Sequence, residues 1–177
     1  MGELMNSEKV AWAVRLLFAQ CVVAFLFTLN LVNFAIPHAG DVRPLFLLMG
    51  IYYWAVFRPT LIPPIMAFGW GMLFDLLAGM PLGITALLFL LAQWIVRDQR
   101  IYLMGQSFVM LWIGFAITAA AFCWLQWVIF ALAQFSLPDW KPPLATITLS
   151  VGLFPLVSLL LVFAHRFLPH EPARNLR

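Results

Sequence analysis

The chain has 177 residues, of which 64% are hydrophobic and 10% are charged. Because soluble domains carry about 25% charged residues, this composition excludes an ordinary soluble domain and predicts one integral membrane domain over residues 1–177. The net charge of +3 gives no sign of a nucleic-acid partner, and we expect none.

Six apolar runs follow one another along the chain, and each is interpreted as a transmembrane helix. A hydrocarbon core about 30 Å thick requires about 20 helical residues. The second run is short for this purpose, and the fifth is so long that it must tilt, bend or project beyond the membrane. We therefore expect an all-α membrane protein with six transmembrane helices in a compact bundle. The approximate spans are 10–36, 44–57, 60–77, 82–96, 101–135 and 144–168.

Six spans place both termini on one side of the membrane, and the basic residues indicate which side it is. Cytoplasmic segments carry an excess of Lys and Arg. With both termini in the cytoplasm, that side holds eight of the ten basic residues and the outer side holds two, Arg43 and Lys141. The eight are Lys9, Arg15, Arg58, Arg97, Arg100, Arg166, Arg174 and Arg177. The sequence therefore predicts a multi-pass protein with both termini cytoplasmic.

One acid lies inside an apolar run, at Asp75. Gly79, Pro81 and Gly83 follow it and predict a tight turn between the third and fourth helices, because glycine readily adopts positive φ. An acid near the bilayer centre costs about 2.5–3.5 kcal/mol on insertion scales. Two interpretations remain open. Asp75 is either an interfacial acid, solvated or capping the turn at Gly79, or a buried acid that bonds a neighbouring helix or partner subunit or faces an internal cavity.

The remaining polar residues have structural interpretations. We find no Ser/His/Asp arrangement, phosphate-binding glycine loop or metal-ligand cluster, and we expect neither enzyme activity nor a cofactor. The three histidines fall in loops or in the tail, and Cys21 and Cys123 are interpreted as small core residues. Amide side chains within the runs are expected to bond between helices or to line a cavity. These are Gln20, Asn30, Asn33, Gln93, Gln126 and Gln134.

Residues 43–83 carry an ordered set of features. Arg43-Pro44 opens the short second span and Arg58-Pro59 closes it, and Gly71-Met-Leu-Phe-Asp75-Leu-Leu-Ala-Gly79-Met-Pro81-Leu-Gly83 then follows. This order resembles the MreD family of the bacterial rod-shape machinery. The length and the six-span layout also fit that family, whereas the fifth and sixth spans match only as apolar segments. The resemblance gives a set of candidate partner or packing contacts, namely Asp75, Gly71, Gly79, Pro81, Gly83, Arg43 and Arg58.

The resemblance implies a function and a set of partners. Members of this family are not known as enzymes, so it implies a scaffold subunit of the cell-elongation (rod) complex in the bacterial cytoplasmic (inner) membrane, required for rod shape. The implied protein partners are an MreC-like protein, which has one span and an extracytoplasmic domain, and the cytoskeletal protein MreB. RodA and its partner transpeptidase are implied directly or through MreC, and membrane lipid is implied throughout. Together these proteins organise peptidoglycan synthesis.

The family is also similar in fold to the substrate-binding subunits of energy-coupling-factor vitamin transporters. A likeness of fold does not supply a ligand. Together with the six spans and the polar residues at depth, it nevertheless leaves a second function open. In that alternative the chain is the small-molecule-binding subunit of an energy-coupling-factor-type transporter, working with a cytoplasmic ATPase module.

Overall fold

The computed structural model describes residues 2–36, 40–135 and 138–166. Within these residues the chain forms six α-helices and two short strands. The helical class expected from composition is confirmed, and the strands are an addition to it. The helices are α1 (Gly2–Asn30), α2 (Phe46–Phe57), α3 (Pro64–Ala78), α4 (Ile84–Met104), α5 (Phe108–Gln134) and α6 (Lys141–Arg166); the strands are β1 (Phe34–Ile36) and β2 (Gly40–Val42).

The helices differ in whether they are long enough to cross a membrane. Three described segments are long and apolar enough, namely Trp12–Asn30, Phe108–Ala133 and Lys141–Ala164. Helices α2 and α3 are apolar but have only 12 and 15 residues. At 1.5 Å per residue they are about 18 and 22 Å long, which is less than a hydrocarbon core of about 30 Å. Each of these two helices is therefore shorter than the thickness of such a core.

Helix α2 lies at the centre of the bundle. Eleven of its 12 residues are buried, and it contacts α1, α4, α5 and α6. Tyr52 packs edge-on against Phe115 of α5 and Phe154 of α6, and its hydroxyl donates to the carbonyl of Leu111 at 3.0 Å. A helix that is apolar on all sides is typical of such a buried position. The short second run is therefore a core helix of the bundle.

The ends of α3 follow from its sequence. Pro63 is the N-cap in extended backbone and Pro64 is the first helical residue, where the missing N–H would have had no helical partner. Gly79 ends the helix with φ of +67°, and Gly83 precedes α4 with φ of +96°. Residues that carry a side chain rarely adopt such positive φ angles, so these two glycines set the α3–α4 turn.

The boundary between the fourth and fifth helices differs from the prediction. The sequence predicted that the fourth span ends at residue 96 and the fifth begins at residue 101, with Arg97–Arg100 as the connection. Instead, α4 continues through Met104 and the break lies at residues 105–107. Arg and Gln are good helix formers, so these polar residues do not by themselves end the helix. Gly105 costs about 1 kcal/mol relative to Ala in a helix interior, and it follows the last helical residue.

The first predicted span is also shorter at its C-terminal end. We predicted an apolar span to residue 36, but α1 ends at Asn30. Residues 34–36 instead form β1, which pairs antiparallel with β2, with Phe34 opposite Val42. Two of the three histidines, His38 and His170, lie outside the described residues, and His165 lies on α6 rather than in a loop or the tail. Cys123 is buried as expected, whereas Cys21 is exposed and is not a core residue.

Gly71 lies where α3 and α4 pack closely together. A Cβ added at this position would lie 2.4 Å from the Cα of Ala86 and 2.8 Å from its nitrogen. Because these are backbone atoms of α4, no rotamer change relieves the clash. The absence of a side chain at Gly71 therefore sets the separation of the two helices.

We expect Gly71→Ala to separate α3 from α4 and to destabilise the fold by about 1–3 kcal/mol, the usual range for overpacking. The matched control is Gly69→Ala on the same helix, because a Cβ added at Gly69 meets no atom within 4 Å. This control should be neutral or stabilise by up to about 1 kcal/mol through helix propensity. Thermal unfolding of the purified proteins in one detergent measures both effects. Equal unfolding midpoints for the two variants would contradict the close approach.

Candidate functional site

The carboxylate of Asp75 caps the N-terminus of the next helix. Asp75 lies on the last turn of α3 and is fully buried. Its Oδ2 accepts hydrogen bonds from the backbone N–H groups of Gly83 at 2.9 Å and Thr85 at 3.2 Å. The first N–H groups of a helix have no partner within it, and they attract negative charge. A carboxylate is therefore well suited to this place.

The residue that would normally cap α4 cannot do so. The N-cap of α4 is Gly83, which has no side chain. The chain needs glycine there because of the positive φ, so a side chain from elsewhere must meet the free N–H groups. Asp75, eight residues earlier, supplies it across the turn. The acid thus combines features of both interpretations, since it is buried and it caps the helix that follows the turn.

Two polar atoms near this cap have no hydrogen-bond partner among the described residues. They are the second carboxylate oxygen of Asp75, Oδ1, and the hydroxyl of Thr85. Both atoms are buried. Buried polar groups usually find a protein or water partner, so the Oδ1 of Asp75 can accept a further hydrogen bond and the hydroxyl of Thr85 can donate one.

The structure brings five of the seven candidate residues to the α3–α4 contact and its turn. Gly71 lies one helical turn before Asp75, and Gly79 and Pro81 are exposed in the turn itself.

Arg43 and Arg58 lie on either side of α2, one before it and one after it. The Nε of Arg43 donates to the side-chain oxygen of Asn33, which joins the segment after α1 to the segment before α2. Arg58 is the C-cap residue of α2, and its backbone N–H donates to the carbonyl of Trp54 at 2.8 Å. The two arginines that frame the second span therefore belong to opposite ends of the bundle.

The N-terminus of α2 is capped by two other helices. The side-chain oxygen of Asn30, at the end of α1, accepts from the N–H of Leu47 at 3.2 Å. The hydroxyl of Ser150, on α6, accepts from the N–H of Leu45 at 2.9 Å. Asn30 was among the amides expected to bond between helices. Ser150 was missed, because a serine within an apolar helix gives no sign of which backbone group it meets.

Two glutamines join the α2–α3 connection to neighbouring helices. Gln93 of α4 donates to the carbonyl of Ile62 at 2.6 Å. Gln20 of α1 donates to the carbonyl of Leu61 at 3.3 Å and accepts from the indole of Trp70 at 2.9 Å. These contacts are the interhelical bonds expected for amides in membrane helices.

A partly open cavity of about 440 Å³ lies beside the capped turn. It lies against the end of α1, the start of α2, the α3–α4 turn, α5 and the start of α6. Its wall contains four phenylalanines, Phe74, Phe89, Phe122 and Phe130, and a few polar side chains. The volume lies within the range of about 300–1,000 Å³ typical of small-molecule pockets.

The polar groups described above hold helices together rather than meeting at a reactive centre. Among the described residues, no group of three or more His, Cys, Asp or Glu side chains lies close enough to hold a metal ion. The arrangement can fix the positions of α2 and α4 and can enclose an apolar ligand.

A family model described as rod shape-determining protein MreD matches residues 11–164. The match covers most of the chain, including all seven candidate residues. The comparison with curated proteins found no match, and neither did the comparison with solved structures.

We expect Asp75→Leu to leave the N–H groups of Gly83 and Thr85 without an acceptor, at a cost of about 1–3 kcal/mol for each one that stays buried. Asp75→Asn keeps one acceptor oxygen but loses the negative charge at the helix N-terminus, so its cost should be smaller. Unfolding midpoints in detergent should therefore fall in the order wild type, Asn, Leu. A Leu variant as stable as wild type would show that the cap contributes nothing to the fold.

Proposed function

Because the chain belongs to the family of the rod shape-determining protein MreD, we propose that it is a non-enzymatic scaffold subunit of the bacterial cell-elongation (rod) complex. The family match over residues 11–164 is the observation that carries this proposal. Membership gives the chain a role in rod shape determination. The scaffold role itself, in which the protein organises peptidoglycan synthesis with MreC and MreB, is our proposal.

The use of the polar side chains supports a scaffold. Asp75, Asn30 and Ser150 complete the ends of helices within the same chain. Residues engaged in this way keep the bundle in one arrangement. A protein that positions other proteins requires such a fixed shape more than it requires a reactive group.

The outer faces of the long helices suit the partners that we propose. On α6, Leu156 and Leu159 are about 70% exposed, and Ile117 on α5 is similarly exposed. In a membrane protein such faces meet lipid or the transmembrane helices of other proteins. We propose that the single span of an MreC-like protein packs against this bundle, and that MreB, RodA and its partner transpeptidase are reached directly or through MreC.

We also propose that all six helices cross the bacterial inner membrane, with both termini in the cytoplasm. Arg97, in the second half of α4, lines the same cleft as Pro64 at the start of α3, which groups it with the end of the bundle that carries Arg58. Arg43 and the α5–α6 connection line the cavity at the other end. The positive-inside rule favours the first of these ends as the cytoplasmic one.

One observation favours a second function. The cavity beside the α3–α4 turn has the size of a ligand pocket, as a small-molecule-binding subunit of an energy-coupling-factor-type transporter would require. This alternative predicts a tightly bound small molecule and a cytoplasmic ATPase module as partner. Purification from native membranes separates the two functions, since the scaffold should bring an MreC-like protein with it and the transporter subunit should bring an ATPase.

We expect depletion of the protein in its rod-shaped host to produce rounder and wider cells, because an unorganised synthesis machinery inserts wall material diffusely. Cell width and length measured by microscopy test this. Re-expression of the Gly69→Ala variant should restore rod shape, whereas the Gly71→Ala variant should restore it less well, because less folded protein is present. Depleted cells that elongate at normal width would contradict the scaffold role.

The proposed topology predicts which sites react with a membrane-impermeant thiol reagent. In a background lacking Cys21 and Cys123, a cysteine in place of the exposed Asp139, in the α5–α6 connection, should react in intact cells. A cysteine in place of the exposed Gln106, in the α4–α5 connection, should react only after the membrane is opened. The reverse pattern would overturn the orientation, and reaction at both sites in intact cells would contradict a crossing by α5.

A further inference from the structure

The cavity beside the α3–α4 turn changes in character along its length. Its inner part is lined by buried residues, among them Phe89, Phe122 and Cys123. Along α5 the lining extends from Phe122 to Phe130, which is about 12 Å at 1.5 Å per residue. A wall of this kind excludes water and favours an apolar chain, because aromatic side chains offer large contact areas to such a chain.

The outer part of the cavity carries two opposite charges. Arg43 is half-buried and Asp139 is exposed, and both side chains line the cavity. The two groups do not form an ion pair with each other in the described part of the chain. The hydrogen bond that Arg43 makes to Asn33 uses Nε, and Asp139 accepts from the backbone N–H of Lys141 through Oδ1 at 3.2 Å. The terminal nitrogens of the guanidinium and the second carboxylate oxygen therefore face no protein partner among the described residues.

These two charges select a ligand that carries both signs. A guanidinium binds phosphate or carboxylate oxygens through parallel N–H donors, and a carboxylate binds an ammonium through charge-assisted hydrogen bonds. A purely anionic head group would leave Asp139 facing like charge. A small soluble zwitterion would meet both charges but would leave the inner apolar wall empty.

We propose that this cavity binds one membrane lipid with a zwitterionic head group. The phosphate of the head group contacts Arg43, its ammonium contacts Asp139, and an acyl chain occupies the space between Phe89 and Phe130. The cavity lies at an end of the bundle where the helix connections gather, so a lipid can enter with its head group at the membrane interface. Lipid binding in this cavity does not depend on the proposed scaffold role, and it can be measured on the purified protein without any partner.

The experiment is native mass spectrometry of the protein released from nanodiscs that contain equal amounts of phosphatidylethanolamine and phosphatidylglycerol with the same acyl chains. The wild-type protein should retain one phosphatidylethanolamine molecule in clear preference to phosphatidylglycerol. Asp139→Asn should reduce this preference roughly two- to fivefold, because an exposed charge pair contributes modestly. Its side chain is exposed, so the variant should fold normally.

The control for the cavity itself is a pair of matched substitutions on α6. Thr146 lines the cavity, whereas Thr148 is exposed and is not among the lining residues. Thr146→Phe fills the cavity and should abolish retention of the single lipid, while Thr148→Phe should retain it. Elution as a single species and an unchanged unfolding midpoint verify that each variant is folded.

Three results would overturn the proposal. The first is equal lipid retention by the Thr146→Phe and Thr148→Phe variants, which would indicate lipid on the outer surface. The second is a wild-type protein without head-group preference, or one whose preference is unchanged in Asp139→Asn. The third is a bound non-lipid molecule in the wild-type protein, which would favour the transporter alternative instead.

Discussion

The bundle depends on one constraint, which is that backbone groups at helix ends in an apolar environment need partners from within the protein. Water is absent from the hydrocarbon core, and the first N–H groups of each helix have no partner in that helix. None of the N-cap residues of α2, α3, α4 and α5 makes a side-chain capping bond of its own. Instead, Asn30 and Ser150 complete α2, and Asp75 completes α4.

This way of capping ties the position of each short helix to its neighbours. Helix α2 is only 12 residues long, which is shorter than a hydrocarbon core is thick. At its N-terminus, α1 and α6 supply the hydrogen-bond acceptors that water would otherwise supply. If either of those helices moved, an N–H group would lose its acceptor in a buried place. The central helix therefore holds the outer helices in register, while their outward faces remain apolar and open to lipid and to other transmembrane helices.

The capped turn and the cavity are parts of the same end of the molecule. Thr85, whose N–H is bound by Asp75, lines the cavity, as do Phe74 at the end of α3 and Met80 in the turn. The cap thus fixes one wall of the cavity, and the bond from the indole of Trp127 to the carbonyl of Pro138 at 3.2 Å fixes another. A bundle built in this way can hold a lipid without changing the arrangement of its helices.

The sequence by itself determined the membrane class, the helical fold and the α3–α4 turn. Composition decides the class, and Gly79 and Gly83 specify the turn because few other residues adopt positive φ. It also singled out Asp75, because an acid in an apolar run requires a reason. The prediction put the break between the fourth and fifth helices at Arg97–Arg100, but the break lies near Gly105. Charged residues mark where a helix leaves the apolar region and do not by themselves end the helix.

Only the tertiary structure decided what the polar side chains bind. From the sequence, Asp75 could have been solvated or could have bonded a partner or a neighbouring helix. In the structure it binds the N–H groups of residues eight and ten positions further along the chain. Ser150 meets Leu45, 105 residues away in sequence. The cavity likewise joins residues from Asn30 to Thr146. The physical reason is that an apolar run specifies that a segment is buried but not which other segment packs against it. Contacts between distant segments therefore arise only when the helices pack.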